Sequence, residues 1–345
     1  MFKDFLIRPK SYDDESHDGF LHRVASENHC TFQDALHVIF SEPGSCKTGQ
    51  EGGDEAFDPI AFEFGKKLFN KHVWKKDFPK LFDLLTQKFC VKCLKERHYV
   101  RAIWDFRQYT SCHLHGVALI NRCDNCHGSI DTASVINKHC RKCQSLLMDV
   151  TIEKSGNTRF AHEVNEVFNS TDKSMQEKLT ILNSRIEQLH PYLRLVSDGS
   201  IKSLNDIRKA DLARFSELQD VALALMDEPQ EGSERLAKQI SEKFSKSHPS
   251  VVFNPYREVI NDSTAFQFAG VMKASLTSGH FEDAQNFISI DMISRLWQVD
   301  IDELTQAIDT VLPEIRQGQK RIKLGDFANN ADSILKLCRE ANRDD

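Results

Sequence analysis

Seven of the ten cysteines lie between positions 90 and 143, and with one histidine they fall into four pairs. The order is Cys90-x2-Cys93, Cys112-x2-His115, Cys123-x2-Cys126 and Cys140-x2-Cys143. A gap of two residues lets both side chains of a pair point inward from one tight knuckle, where backbone N–H groups can soften the thiolate charge. Two such pairs supply the four donors of a tetrahedral site. Sequential pairing makes one site of Cys90, Cys93, Cys112 and His115 and a second of Cys123, Cys126, Cys140 and Cys143. The seven residues between His115 and Cys123 also permit cross-bracing of the first pair with the third. His113 is an alternative donor, but the spacing favours His115.

Zinc suits these donors, because it is a d10 ion content with tetrahedral thiolate and imidazole ligation. Each site is closed by four protein ligands, so two structural zinc ions per chain are expected and no catalytic one. Cys30, Cys46 and Cys338 stand apart. Residues 1–5 show no charged-then-apolar leader, and the longest apolar runs fall far short of the ~18 residues a spanning helix needs. The expected setting is therefore a reducing cytoplasm, where paired cysteines mean metal rather than disulfides.

Charge is distributed unevenly. The chain carries a net −6, yet residues 88–143 hold ten basic and four acidic side chains, or +6 against −12 elsewhere. Such a basic block can lie against a nucleic-acid backbone, or it can balance the negative zinc–thiolate centres. Nothing in the chain reads as an enzyme: there is no Ser–His–Asp signature, no phosphate-binding glycine–lysine loop and no paired-acid motif, so no catalytic residue is expected.

The elements that must position these residues are mostly helices. After Arg8-Pro9, which keeps the chain extended, Asp13–Ser16 can cap a helix carrying Phe20, Leu21, Val24 and Ala25. Thr31 can cap a second with Phe32, Ala35, Leu36 and Ile39. Residues 41–58 read as a loop, 59–71 as a helix, and 150–172 as a polar boundary between domains 1–149 and 150–345. Leu179, Leu182, Ile186 and Leu189 form one helical stripe, and further helices are expected near 205–226, 233–246 and 264–277. Near 288–340 the pattern is helix Ile290–Trp297, turn, helix Ile301–Val311, a glycine-turned hairpin over 315–324 and a last helix from Gly325-Asp326. This order is like a winged helix-turn-helix, although the second helix carries Asp302, Glu303 and Asp309, which repel phosphate. The expected fold is mostly α, with an N-terminal helical region bearing two zinc-ribbon-like modules and a helical C-terminal domain.

Two segments resemble the TniQ/TnsD family. One is the opening Arg8-Pro9-x2-Tyr12-x-Asp14-Glu15-Ser16-x3-Phe20-x2-Arg23-Val24-Ala25-x2-Asn28. The other is Cys90-x2-Cys93-Leu94-x4-Tyr99-x4-Trp104-x7-Cys112-x2-His115-x3-Leu119-x3-Cys123-x2-Cys126, closed by Cys140-x2-Cys143. The match is most similar to the TniQ of type I-F CRISPR-associated transposons. The chain departs from the family at Asn137-Lys138-His139, where the family has a glycine before the last pair. The resemblance implies a non-catalytic target-selection adaptor that forms a head-to-tail homodimer. It would sit on the guide-RNA surveillance complex (Cascade) at the end holding the guide-processing subunit. It would help recruit an AAA+ ATPase regulator, meet nucleic acid mainly through that complex, and involve no membrane. The family also contains TnsD-like proteins that read an attachment site directly, which is the alternative function. Arg8, Glu15 and Arg23 match the opening motif. Arg8 and Glu15 are expected to pair and dock the lead, and Tyr99 and Trp104 to pack rather than stack on a base.

Overall fold

The computed structural model describes residues 7, 9–40, 68–150, 154–155, 158–197, 199–201, 211–243, 252–253, 255–256, 259–261, 264–277, 287–297, 299–314 and 320–341. The expected loop at 41–58, nearly all of the expected helix at 59–71, Arg8 and residues 315–319 of the expected hairpin lie outside this set. The described chain is mostly helical and divides into two compact units, Met1–Asn183 with Ile207–Ser216, and Ser184–Asp206 with Glu217–Asp345.

In the first unit, α1 (His17–Glu27) starts where Ser16 Oγ accepts from the Gly19 N–H at 3.0 Å. Its apolar stripe of Phe20, Leu21, Val24 and Ala25 is buried. Helix α2 (Phe32–Phe40) follows a reciprocal cap, with Asp34 N–H donating to Thr31 Oγ1 and the Thr31 hydroxyl donating back to Asp34. A capping residue satisfies backbone donors that the helix leaves unpaired. Phe32 and Leu36 pack on Phe20, Leu21, Val24 and Leu68. The short helices α3 (Lys71–Trp74), α4 (Val91–Glu96) and α5 (Thr132–Asn137) and the strands β1 (Ser111–Cys112) and β2 (Val117–Ala118) build the cysteine-rich region. The two strands pair antiparallel, Ser111 with Ala118 and Cys112 with Val117.

The stretch 150–172 falls inside the first unit. It contains α6 (Arg159–Asn169), whose Phe160, Ala161, Val164 and Phe168 are buried. Phe168 closes an aromatic cluster with Phe69, Phe82 and Phe106, ring centroids 5.2–5.8 Å apart. The long α7 (Met175–Val196) buries Leu179, Leu182, Ile186 and Leu189, the stripe expected from their spacing.

In the second unit, the part of α8 (Leu212–Asp227) from Glu217 onward turns tightly into α9 (Pro229–Lys243), where a Cβ on Gly232 would meet Leu225 N at 2.2 Å, so only glycine allows this approach. Helix α10 (Ala265–Thr277) packs against α9 and against the last helix, α13 (Leu324–Ala341). Between them come β3 (Phe287–Ser289), α11 (Ile290–Trp297), α12 (Ile301–Val311) and β4 (Arg321–Lys323). Asp300 caps α12 through the N–H groups of Asp302 and Glu303. The described partner of β4 is β3, antiparallel with Phe287 opposite Lys323, Ile288 opposite Ile322 and Ser289 opposite Arg321. No helix among the described residues is long and apolar enough to cross a membrane.

Candidate metal centres

The eight proposed ligands gather as two groups of four, Cys90, Cys93, Cys112 and His115, and Cys123, Cys126, Cys140 and Cys143. This is the sequential pairing. Within each group all donor atoms lie within 4.8 Å of one another.

Backbone geometry explains why the pairs converge. Three of them end in a left-handed residue, Gly116 (φ 62°), His127 (φ 54°) and Gln144 (φ 60°). Each of these N–H groups donates to the carbonyl of the first residue in its pair: Gly116 to Cys112, His127 to Cys123 and Gln144 to Cys140, at 2.8–2.9 Å. The knuckle is then pinned from outside, by Cys123 N–H to Gly128 O and by Cys140 N–H to Ser145 O. The fourth pair, Cys90–Cys93, instead opens α4, and Leu94 N–H donates to Cys90 O at 3.0 Å. Paired hydrogen bonds between Phe89 and Ile120 hold this region together. At Asn137-Lys138-His139, Lys138 itself takes the left-handed conformation, φ 64°, and caps α5. The turn is therefore made without a glycine.

The donor spacing fits a tetrahedral ion. At a metal–sulfur distance of about 2.3 Å, tetrahedral sulfurs sit roughly 3.8 Å apart, and a nitrogen at about 2.0 Å sits roughly 3.5 Å from each sulfur. In the first group Cys93 and Cys112 Sγ are 3.6 Å apart, and His115 Nδ1 is 3.6, 3.2 and 3.5 Å from Cys90, Cys93 and Cys112. In the second group Cys123–Cys143 is 3.6 Å and Cys126–Cys140 is 3.7 Å. His113 is not a donor here, since its Nδ1 is held by the Tyr109 hydroxyl at 2.7 Å.

Supporting contacts differ between the groups. His115 Nε2 meets Glu96 Oε1 at 2.8 Å, the carboxylate that commonly orients a ligating imidazole and fixes which nitrogen is free. Hydrogen bonds from the Cys90 and Cys93 thiols, with backbone help from His115, hold Cys112 below the usual thiol range. In the second group Ser145 Oγ is 3.1 Å from both Cys123 and Cys143, and this contact draws Cys143 down to about 6. Cys90, Cys93 and Cys112 are all buried, whereas Cys126 and Cys143 are half-buried.

Glu96 and Ser145 were not singled out by the cysteine spacing. Glu96 lies three residues beyond Cys93, one helical turn along α4, and that is the only signal the sequence offers for it.

The basic block is smaller at the surface than its composition implies. Lys88 is buried and donates to the carbonyls of Phe106, Arg107 and Tyr109, and Arg107 is buried and donates to Phe82 O at 2.8 Å. Arg101 pairs with Asp14, and Arg141 with Asp131 at 3.6 Å. Burial pushes the Lys88 amine down to about 7.

The opening motif forms a network of its own. Glu15 is buried and receives Arg23 Nε at 2.8 Å and Nη2 at 2.7 Å. Its described partner is thus Arg23. Tyr99 and Trp104 are buried, and Tyr99 stacks on Tyr12 with centroids 4.1 Å apart. The chain matches no protein-family model and no curated protein.

Proposed function

We propose that this chain is a non-catalytic adaptor that selects the target of RNA-guided DNA transposition. In this reading it is a TniQ-like homodimer on guide-loaded Cascade in the bacterial cytoplasm, and it recruits an AAA+ regulator. The observation that carries the reading is that the two segments resembling the TniQ/TnsD family fold into one another. Ser16 N–H donates to Val100 O and Ala102 N–H to Asp14 O, both at 2.8 Å. Asp14 also accepts from the Tyr99 hydroxyl and from Arg101. A Cβ on Gly19 would meet Val100 Cβ at 2.6 Å, so α1 lies hard against this loop. Motifs some 80 residues apart in the chain thus depend on each other's presence.

The two clusters are assigned to zinc, as two ribbon-like structural modules. Their donors are seven thiolates and one imidazole with the spacing of a closed tetrahedron. Bound zinc would supply folding energy to a region whose strands and helices are too short to hold themselves. The series β3, α11, α12, β4 and α13 is assigned as a winged helix-turn-helix-like segment. Helix α12 carries Asp302, Glu303 and Asp309 and no lysine or arginine. This composition favours the adaptor over a TnsD-like direct reader of an attachment site, because a groove-reading helix must approach phosphates.

The test is co-migration. The purified chain is mixed with guide-loaded Cascade, and separately with duplex DNA. Stable co-migration with Cascade, and only salt-sensitive binding to DNA, is expected. Sequence-specific nanomolar binding to DNA without Cascade would overturn the proposal in favour of the direct reader.

A further inference from the structure

The β3–β4 ribbon has one face in the core and one in solvent, and the solvent face has an unusual composition. Register alternates the sides: the Ile288–Ile322 pair is buried, while Phe287–Lys323 and Ser289–Arg321 face outward. Phe287 is 40% exposed, a large area for a phenylalanine beside two cations. Lys320, Arg321 and Lys323 are all exposed, and none has an ion-pair partner among the described residues. Two acidic residues close to the ribbon in sequence, Asp291 and Asp326, lie on the helices that leave it, and Asp291 is held by Arg295 at 2.9 Å; Glu282 and Asp283 lie outside the described residues. Elsewhere in the molecule the arginines of the metal-bearing unit are largely spoken for, by Asp14, Glu15, Asp131 and backbone carbonyls.

We infer that this ribbon face binds single-stranded nucleic acid, with Arg321 and Lys323 on successive phosphates and a base stacked on Phe287. Residues two apart on a strand lie roughly 6.8 Å apart on the same face, a step suited to following an extended backbone. Exposed aromatic rings flanked by cations are the usual platform for unstacked bases. A duplex would engage the cations but keep its bases from Phe287. The acidic α12 would not follow a ribbon contact into a groove. The contact is therefore sequence-tolerant. It stands independently of the Cascade reading, since it concerns the chain alone.

The experiment is fluorescence anisotropy of full-length protein with a labelled mixed-sequence 20-nucleotide single strand, across a salt series. For wild type, log affinity falls linearly with log salt. Arg321→Ala/Lys323→Ala is expected to weaken binding and to flatten the slope by about 1.4, at roughly 0.7 per phosphate released. Phe287→Ala is expected to weaken binding at least about fivefold with the slope nearly unchanged, as loss of one stacked base requires. Arg321→Lys/Lys323→Arg, which keeps the charge, should bind like wild type, and all variants are checked for an unchanged thermal transition. Unchanged affinity and slope in the alanine pair would overturn the inference. So would an equal loss from Lys92→Ala/Lys95→Ala on α4, equally tight binding of duplex, or displacement by polyglutamate as effective as by unlabelled single strand.

Discussion

Replacing Arg23 by methionine strands a buried carboxylate. Glu15 is 1% exposed and receives two of its three described hydrogen bonds from the Arg23 guanidinium, the third coming from Tyr12 N–H at 3.1 Å. Arg23 also donates to Lys10 O at 2.9 Å and lies 5.1 and 5.5 Å from the Tyr12 and Phe20 ring centroids. Breaking one side of a buried pair costs about 3–5 kcal/mol, because the remaining charge is left without water or a counter-charge. For a domain of this size that lowers the melting temperature by roughly 6–20 °C. Arg23→Met/Glu15→Gln removes the stranded charge while leaving an acceptor for Tyr12. It should recover at least about 2 kcal/mol relative to the single variant. The loss also depends on pH. Burial lifts the Glu15 carboxyl above its ordinary value of 4.5 despite the lowering pull of Arg23, and deleting Arg23 removes that pull. The folded variant then binds a proton more tightly than the unfolded chain, so its stability rises as pH falls towards 4.5. Urea unfolding of the four proteins of the cycle, followed at pH 7.5 and pH 5.5, measures both effects. A single-variant loss below about 1 kcal/mol, or strict additivity in the cycle, would refute the reasoning.

Elemental analysis should find two zinc ions per chain, falling to one in Cys112→Ser or in Cys126→Ser; one or none in the folded wild type would end the assignment. Under a chelator the two ions should leave in two phases, the faster from the Cys123–Cys143 cluster, whose Cys126 and Cys143 are half-buried, so Cys126→Ser should abolish the fast phase. Glu96→Ala should weaken metal binding at the first cluster alone, by about 10–100-fold in a competition titration, because the His115 imidazole loses its orienting carboxylate. Lys88→Met takes the amine away from three carbonyls, of which Phe106 O keeps the Tyr109 N–H, and the loss in unfolding free energy should exceed about 1 kcal/mol. His72 is raised above 6.5 chiefly by its hydrogen bond to Asp18 at 2.9 Å. Its contribution is complete below pH 6.5 and lost as pH rises through the folded value, so the gap between wild type and His72→Gln should close as pH rises above 6.5. That gap should stay under about 1 kcal/mol, because the ring is half exposed.

Much of the metal site was legible from spacing alone. A two-residue gap sets the reach of a knuckle, and knuckle geometry is local, so the eight candidate donors and the choice of His115 over His113 could be read before any fold was known. Local chemistry also marked the caps at Ser16 and Thr31 and the helices Ile290–Trp297 and Ile301–Val311. What failed was non-local. The stretch 150–172 read as polar because Phe160, Val164 and Phe168 are spaced among charged residues, and their worth depends on Phe69, Phe82 and Phe106 waiting for them. Lys88 and Arg107 read as surface charge because no sequence pattern shows that three carbonyls of one loop and one of another will converge on them.

By itself, then, the sequence determined which side chains can hold metal and where several helices begin, because these follow from residue type and short-range spacing. Only the tertiary structure decided that the clusters pair sequentially, that Glu15 belongs to Arg23, that the opening motif locks onto Val100–Ala102, and that β4 pairs with β3. Each of these joins groups distant in the chain, and such contacts are selected by burial and by the need to satisfy every desolvated charge and backbone donor at once.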